Sequence, residues 1–262
     1  MENHEQSPTS GIQAKETQIE AAAVTRTGRR RTNADAFLID DATGLYAVAD
    51  GMGDTPVSGL IARKALEAVQ EMFGAQWTSL SLSERVPKEA RTRIIQGIWQ
   101  ADWRVHAPYL PRSKRIGTTF AGIVVCGDRI CAAHVGDSRV YLLRRTTAHM
   151  AQLTKDHTGF VEALRQGVPR DVAALAPDAH KLTRVLGVKP GGEIEPLVRR
   201  WETGDVALLC TDGVSDHVEA EVMEDILLDA GDIRDTARRI VDRADDAGGY
   251  DNATVVLVRR VS

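Results

Sequence analysis

The apolar positions of this chain fall into two kinds of segment. Seven short runs are rich in Val, Ile, Leu and Ala and are bounded by Gly, Asp or Asn: 37–39, 45–49, 120–126, 130–135, 140–143, 206–210 and 253–258. Their length and composition predict buried strands. Gly127-Asp128, between two of them, predicts a hairpin turn. Other segments carry helical spacing. Ile61, Ala65, Ala68, Val69, Met72 and Phe73 line one face of a predicted helix that follows Ser58, and Ile94, Ile95, Ile98, Trp99 and Val105 line one that ends before Pro108. A third helix is predicted near 222–228, and a fourth holds Ile233, Ala237, Ile240, Val241 and Ala244.

Strands and helices are thus segregated along the chain, which predicts an α+β fold with helices covering antiparallel sheets. The strand runs lack polar alternation, so their sheets are expected to be covered on both sides. One sheet covered twice and two stacked sheets both satisfy that pattern. Residues 1–16 read as a loose polar tail, and 17–262 as one domain. The stretch 154–183 is mixed, with a short helical piece at 160–166 followed by Gly167, Pro169 and Pro177, and is a candidate lid beside a site.

Composition narrows the function. The chain has 262 residues, 43% of them hydrophobic and 27% charged, with a net charge of -4. That balance supplies a core and lacks the clustered positive excess of a nucleic-acid binder. No run approaches a membrane span and the first twenty residues are not a secretory signal, so a soluble, cytoplasmic protein is expected; a monomer is the default expectation beside it. Cys126, Cys131 and Cys210 sit in apolar runs without a Cys-x-x-Cys pair, which predicts buried reduced thiols rather than a zinc site.

Candidate chemistry lies in where the aspartates fall. Asp50-Gly51 ends one apolar run, Asp137 follows another, Asp212-Gly213 follows a third, and Asp251-Asn252 opens a fourth. One acid at a strand end is an ordinary turn cap. Four gathered together would repel one another unless cations neutralised them, and an all-oxygen donor set selects Mg²⁺ or Mn²⁺. Two such ions can share a carboxylate and a water, which becomes the nucleophile while the ions neutralise phosphoryl oxygens. Arg29-Arg30-Arg31, just before Asn33 and Asp35, offers guanidinium for a phosphate, although such a run is more often a solvated surface.

These residues resemble the metal-dependent protein phosphatases, the type 2C family, in their compact bacterial form. The resemblance is carried by 28–35 (GRRRTNAD), 47–53 (AVADGMG), 117–119 (GTT), 134–139 (HVGDSR), 153–157 (LTKDH), 182–187 (LTRVLG), 210–216 (CTDGVSD) and 249–254 (GYDNAT), in family order over about 17 to 260. It implies an α-β-β-α sandwich, two stacked antiparallel sheets flanked by helices. It implies hydrolysis of phosphoserine and phosphothreonine by a water bridged between two Mn²⁺ or Mg²⁺ ions. Asp50 is then the bridging ligand, with the Gly51 carbonyl, Asp212 and Asp251 as further direct ligands, and Asp35 acts through water. Asp137 and Asp216 would join Asp212 around a third, weaker metal. Arg30, five residues before Asp35, would bind substrate phosphate, leaving Arg29 and Arg31 at the surface. Residues 158–180 correspond to the family's flap. The implied partners are phosphorylated proteins, substrates of a separately encoded Ser/Thr kinase in bacterial signalling.

Two positions depart from the pattern. Ala34 stands where the family usually has Glu, which implies altered metal affinity, and Asp54 follows Gly53 where a second glycine is common. Met52 replaces the histidine of eukaryotic members, as is general in bacterial ones. His134 and His157 are expected to be structural. A catalytically silent relative that binds phosphoproteins is the alternative, with Ala34 its only support. A hydrolase of small phosphoesters would use identical chemistry, but no Walker-type loop points to nucleotides.

Overall fold

The computed structural model describes residues 17–106, 116–188, 191–229 and 231–262; the expected tail at 1–16 lies outside them. In chain order the elements are β1 (Ile19–Arg26), β2 (Asp35–Asp40), β3 (Leu45–Asp50), α1 (Pro56–Gln70), α2 (Ala75–Thr78), α3 (Pro87–His106), β4 (Phe120–Cys126), β5 (Arg129–Val135), β6 (Arg139–Arg144), β7 (His149–Gln152), α4 (Gly159–Arg165), α5 (Arg170–Ala174), β8 (Leu197–Arg200), β9 (Val206–Cys210), α6 (Asp212–Ser215), α7 (Ala220–Leu228), α8 (Ile233–Asp246) and β10 (Ala253–Arg260). The strands form two five-stranded sheets, ordered β1-β10-β9-β6-β7 and β2-β3-β4-β5-β8. Every neighbouring pair is antiparallel.

Side-chain alternation along the strands sorts the apolar residues into three layers. Tyr46 and Val48 of β3 and Ile123 and Val125 of β4 face Leu209 of β9 and Val256 and Val258 of β10 between the sheets. The intervening residues Leu45, Ala47, Phe120 and Val124 point the other way, onto Ile61, Ala65 and Val69 of α1 and Ile94 and Ile98 of α3. On the far side Leu208, Cys210, Val255 and Leu257 meet Met223 of α7 and Ile240 and Val241 of α8. The fold is therefore the four-layer sandwich. Both faces of each central strand are buried, which is why no polar alternation marks them in the sequence.

Local chemistry departs from expectation at three places. Helix α1 begins at Pro56 rather than after Ser58, because the Thr55 side chain caps it by accepting from the Ser58 N–H and proline fills its first turn. On α3, Trp99 is 47% exposed and does not share the buried face of Ile94 and Ile98. Three strands, β1, β7 and β8, had no apolar run to announce them, and each lies at a sheet edge. The β4–β5 hairpin turns at Gly127, whose φ of +56° suits glycine. All three cysteines are buried and free.

Candidate metal and phosphate site

Antiparallel pairing explains why residues so far apart in sequence meet. In such a sheet the C-terminal end of one strand lies beside the N-terminal end of its neighbour. Asp50, the last residue of β3, pairs with Asp35, the first of β2. In the other sheet Cys210, just before Asp212, pairs with Val255 of β10 and with Arg139, just after Asp137. Arg26, just before the arginine cluster, pairs with Ala253, just after Asp251. The predicted acids and arginines therefore occupy one end of the sandwich.

The sheets are tied together there. Asp35 is buried, and its Oδ2 accepts from the hydroxyls of Thr211 (2.8 Å) and Thr254 (2.6 Å) of the opposite sheet. The Asp50–Gly51 turn is held by the 117–119 motif. Thr118 Oγ1 donates to the Asp50 carbonyl (2.8 Å), the Asp50 N–H donates to Thr119 Oγ1 (2.8 Å), and the Met52 N–H donates to the Gly117 carbonyl (2.9 Å). Thr119 Oγ1 also shares a 2.6 Å hydrogen bond with Ser138 Oγ, beside Asp137. Gly51 is required by space: a Cβ there would lie 2.2 Å from the Ser58 carbonyl oxygen.

Asn252 has a role that sequence reasoning missed. Its Oδ1 accepts from the Ala34 N–H (2.7 Å), and its Nδ2 donates to the carbonyls of Thr27 (2.7 Å) and Thr32 (3.0 Å). It thereby staples the arginine loop beside the acids. Gly28, at φ +59°, permits the close approach, since a Cβ there would stand 2.3 Å from the Asp251 carbonyl oxygen. The only signal was polarity: an Asn opening an apolar run must spend its amide on something buried. Arg139 was also unassigned; it forms a bidentate pair with Asp156, Nε to Oδ1 at 3.1 Å and Nη2 to Oδ2 at 2.7 Å, and ties β6 to the 153–157 segment.

Burial first, and like charge second, raise the acids gathered at this end of the sandwich. Burial, then the neighbouring Asp35, Asp212, Asp251 and Asp137, push the Asp50 carboxyl well above the usual range. Burial raises Asp35 as well, against its two threonine hydrogen bonds. Asp137 is pushed up to about 7 by burial and by Asp212. Asp212 rises to about 6 through burial, Asp251 and Asp216. Asp216 itself is exposed.

A divalent cation fits this donor set. Three buried carboxylate oxygens, Asp35 Oδ1, Asp137 Oδ1 and Asp212 Oδ1, have no hydrogen-bond partner, a costly arrangement that a cation would relieve. Among the described residues no three His, Cys, Asp or Glu side chains are placed so that they could hold a metal ion as they stand. Asp251 is engaged by the arginine loop and its own neighbour: its Oδ2 is 2.5 Å from Arg30 Nη2 and its Oδ1 accepts from the Asn252 N–H at 2.8 Å. Each of its oxygens thus carries one contact, and the Arg30 guanidinium would compete with any cation for Oδ2.

His134 and His157 stack with ring centroids 4.5 Å apart. His134 Nε2 contacts the Lys155 carbonyl (2.7 Å), and His157 Nδ1 accepts from the Gly136 N–H (3.1 Å). Burial lowers both, His157 to about 3, so they are neutral structural rings rather than acids.

Comparison with known proteins agrees with this geometry. The sequence profile of the protein phosphatase 2C family matches residues 26–253. The chain belongs to that family. It is 31% identical to the serine/threonine phosphatase stp of Listeria welshimeri over 229 residues, 87% of this chain and 89% of that one. It is 35% identical to the serine/threonine protein phosphatase PstP of Mycobacterium tuberculosis over 221 residues, 81% of this chain and 40% of that one. The solved catalytic domain of PstP in complex with two manganese ions superposes with a TM-score of 0.78 at 26% identity, covering 95% of this chain and 100% of that one. Family membership makes the chain a metal-dependent phosphatase and agrees with the α-β-β-α architecture seen here.

Proposed function

We propose that this member of the protein phosphatase 2C family hydrolyses phosphoserine and phosphothreonine on proteins at the aspartate-lined end of the sandwich. The observation that supports it most is the convergence of Asp35, Asp50, Asp137 and Asp212 beside Arg30 and Asp251, with three carboxylate oxygens left buried and unpartnered. Asp50, the Gly51 carbonyl, Asp212 and Asp251 would hold two divalent cations, Mn²⁺ or Mg²⁺, with Asp35 acting through water. Asp137 and Asp216 would complete a third site with Asp212. The cations would supply an activated water and neutralise charge on the phosphoryl oxygens.

The chain's own residues do the rest. Thr118 and Thr119 fix the backbone at Asp50. Thr211 and Thr254 lock one oxygen of Asp35 and leave the other buried without a partner. Arg30, released from Asp251, presents a planar fork to the substrate phosphate and holds it in place. Residues 17–262 act as one phosphatase domain. The flap at 158–180 contains α4 and α5 and borders a cavity of about 660 Å³ that also meets His134, Lys155 and Arg184, where a substrate chain can be discriminated.

No helix among the described residues is long and apolar enough to cross a membrane. We place the enzyme in the cytoplasm, as a monomer, opposing a Ser/Thr kinase. The silent-relative alternative gains no support, because each carboxylate proposed as a direct ligand, Asp50, Asp212 and Asp251, is present despite Ala34. The purified protein with Mn²⁺ is expected to release phosphate from phosphoserine and phosphothreonine peptides, to stop on chelation, and to lose turnover in Asp212→Ala. Near-normal activity in that variant would overturn the reading.

A further inference from the structure

The residue before Arg30 is built for a task of its own. The Arg29 guanidinium lies over the ring of Tyr250, 5.0 Å from its centroid. The His217 ring approaches the same tyrosine at 5.9 Å, tilted by 31°. Tyr250 is 60% exposed, yet it is wedged, since a Cβ on Gly248 would fall 2.2 Å from its ring. The backbone beneath is fixed too: the Arg29 N–H donates to the Gly249 carbonyl at 2.7 Å. Arg29 was expected at the surface, and it is exposed. There it is the arginine of the cluster that sits on an aromatic plate, next to the one that faces Asp251.

Stacking orients a guanidinium and leaves its N–H edge free. Among the described residues, the Arg29 side chain has no carboxylate within ion-pair distance and no hydrogen-bond acceptor. Chain order then sets its relation to the phosphate. Arg30 follows Arg29, and Asp251 follows Tyr250, so the stacked pair and the ion pair are adjacent contacts between the same two loops. With a phosphate on Arg30, a residue flanking the phosphorylated side chain would come within reach of the neighbouring Arg29 edge. A cationic flank would be repelled there, and an apolar flank would find the near face of the ring already covered by guanidinium.

We propose that Arg29 is a specificity-determining residue that binds an oxyanion, carboxylate or phosphate, on a substrate residue within two positions of the phosphorylated one, with Tyr250 holding its plane. The proposal rests on the phosphatase reading. Its test is a set of phosphothreonine peptides that differ only in Glu, Ala or Lys at each flanking position, assayed with Mn²⁺ in excess. The wild-type enzyme favours Glu over Ala by about two- to fivefold in kcat/KM, carried by KM, the scale of an exposed charge pair. Arg29→Ala brings that ratio to about one, Tyr250→Phe preserves it, and Tyr250→Ala lowers it by freeing the guanidinium. An unchanged ratio in Arg29→Ala, or an equal loss on all three peptides, overturns the assignment. If wild type hydrolyses none of the peptides, the phosphatase reading itself fails. If it hydrolyses all three equally, only the role of Arg29 fails.

Discussion

Arg30 Nη2 lies 2.5 Å from Asp251 Oδ2, so the residue proposed to bind phosphate is paired with a residue proposed to bind metal. The side chains are 41% and 30% exposed, which makes the pair breakable at small cost. It keeps an unneutralised carboxylate quiet, and the same charge that loads onto Asp251 would free Arg30 for substrate. On the proposed reading, phosphate capture would be coupled to cation loading.

Removing Arg30 should move two measurements in opposite directions. Arg30→Ala is expected to tighten Mn²⁺ binding by about two- to fivefold in calorimetry, since a competing cation is lost. The same variant should lose about 100-fold in kcat/KM on a phosphopeptide, the scale of a charged two-point contact. A variant that weakens both would show that Arg30 supports the metal ligands rather than competing with the metal.

Metal-free stability should fall as pH rises through neutrality. The folded pKa values of Asp35, Asp50, Asp137 and Asp212 are raised, so the folded state holds protons that the unfolded chain has released. Their stabilising contribution is complete below about 4 and is lost as pH climbs through the folded values, about 7 for Asp137. His157, depressed to about 3, works against this only below its unfolded value near 6.5. The clean window is therefore about pH 6.5 to 8. In chelator, the melting temperature should drop by about 5 °C or more across that window, and Mn²⁺ should remove the drop. A flat profile in chelator would mean that these acids are not crowded together.

The hydrogen bonds that frame the site should carry measurable stability. Thr119→Val keeps the shape but leaves the Asp50 N–H without its 2.8 Å acceptor. A loss of about 1–3 kcal/mol is expected, read as a melting temperature lower by about 3–10 °C, with Thr119→Ser retaining most of it. If valine is tolerated without change, the 117–119 motif is not what fixes the Asp50 turn.

Asn252→Ala removes the acceptor for Ala34 and the donors for Thr27 and Thr32 in one step. The arginine loop should loosen, raising KM for phosphopeptides about tenfold while Mn²⁺ stoichiometry is retained. Loss of stoichiometry would mean that the staple acts on the ligands themselves.

Much of this was legible in the sequence, and the gaps have physical causes. Central strands such as β3 and β9 are buried on both faces and announce themselves as apolar runs. Edge strands do not: β1 mixes half-buried and exposed positions, and β7 buries only Met150 along its length. Trp99 matched the helical period of α3 yet sits on its outer flank, because periodicity fixes a stripe less sharply than packing does. At the site, charge at strand ends pointed to the acids. The Arg30–Asp251 pair, the Asn252 staple and the Arg29–Tyr250 stack were not readable, since each joins loops more than 200 residues apart and depends on which side chains meet.

The most direct measurement is Mn²⁺ titration of the wild-type protein and of Asp50→Asn by calorimetry, with circular dichroism confirming that both are folded. Two ions bound by wild type, with the asparagine variant losing at least one and binding the rest more than tenfold less tightly, is the expected result. Two ions bound with unchanged affinity by Asp50→Asn would contradict it.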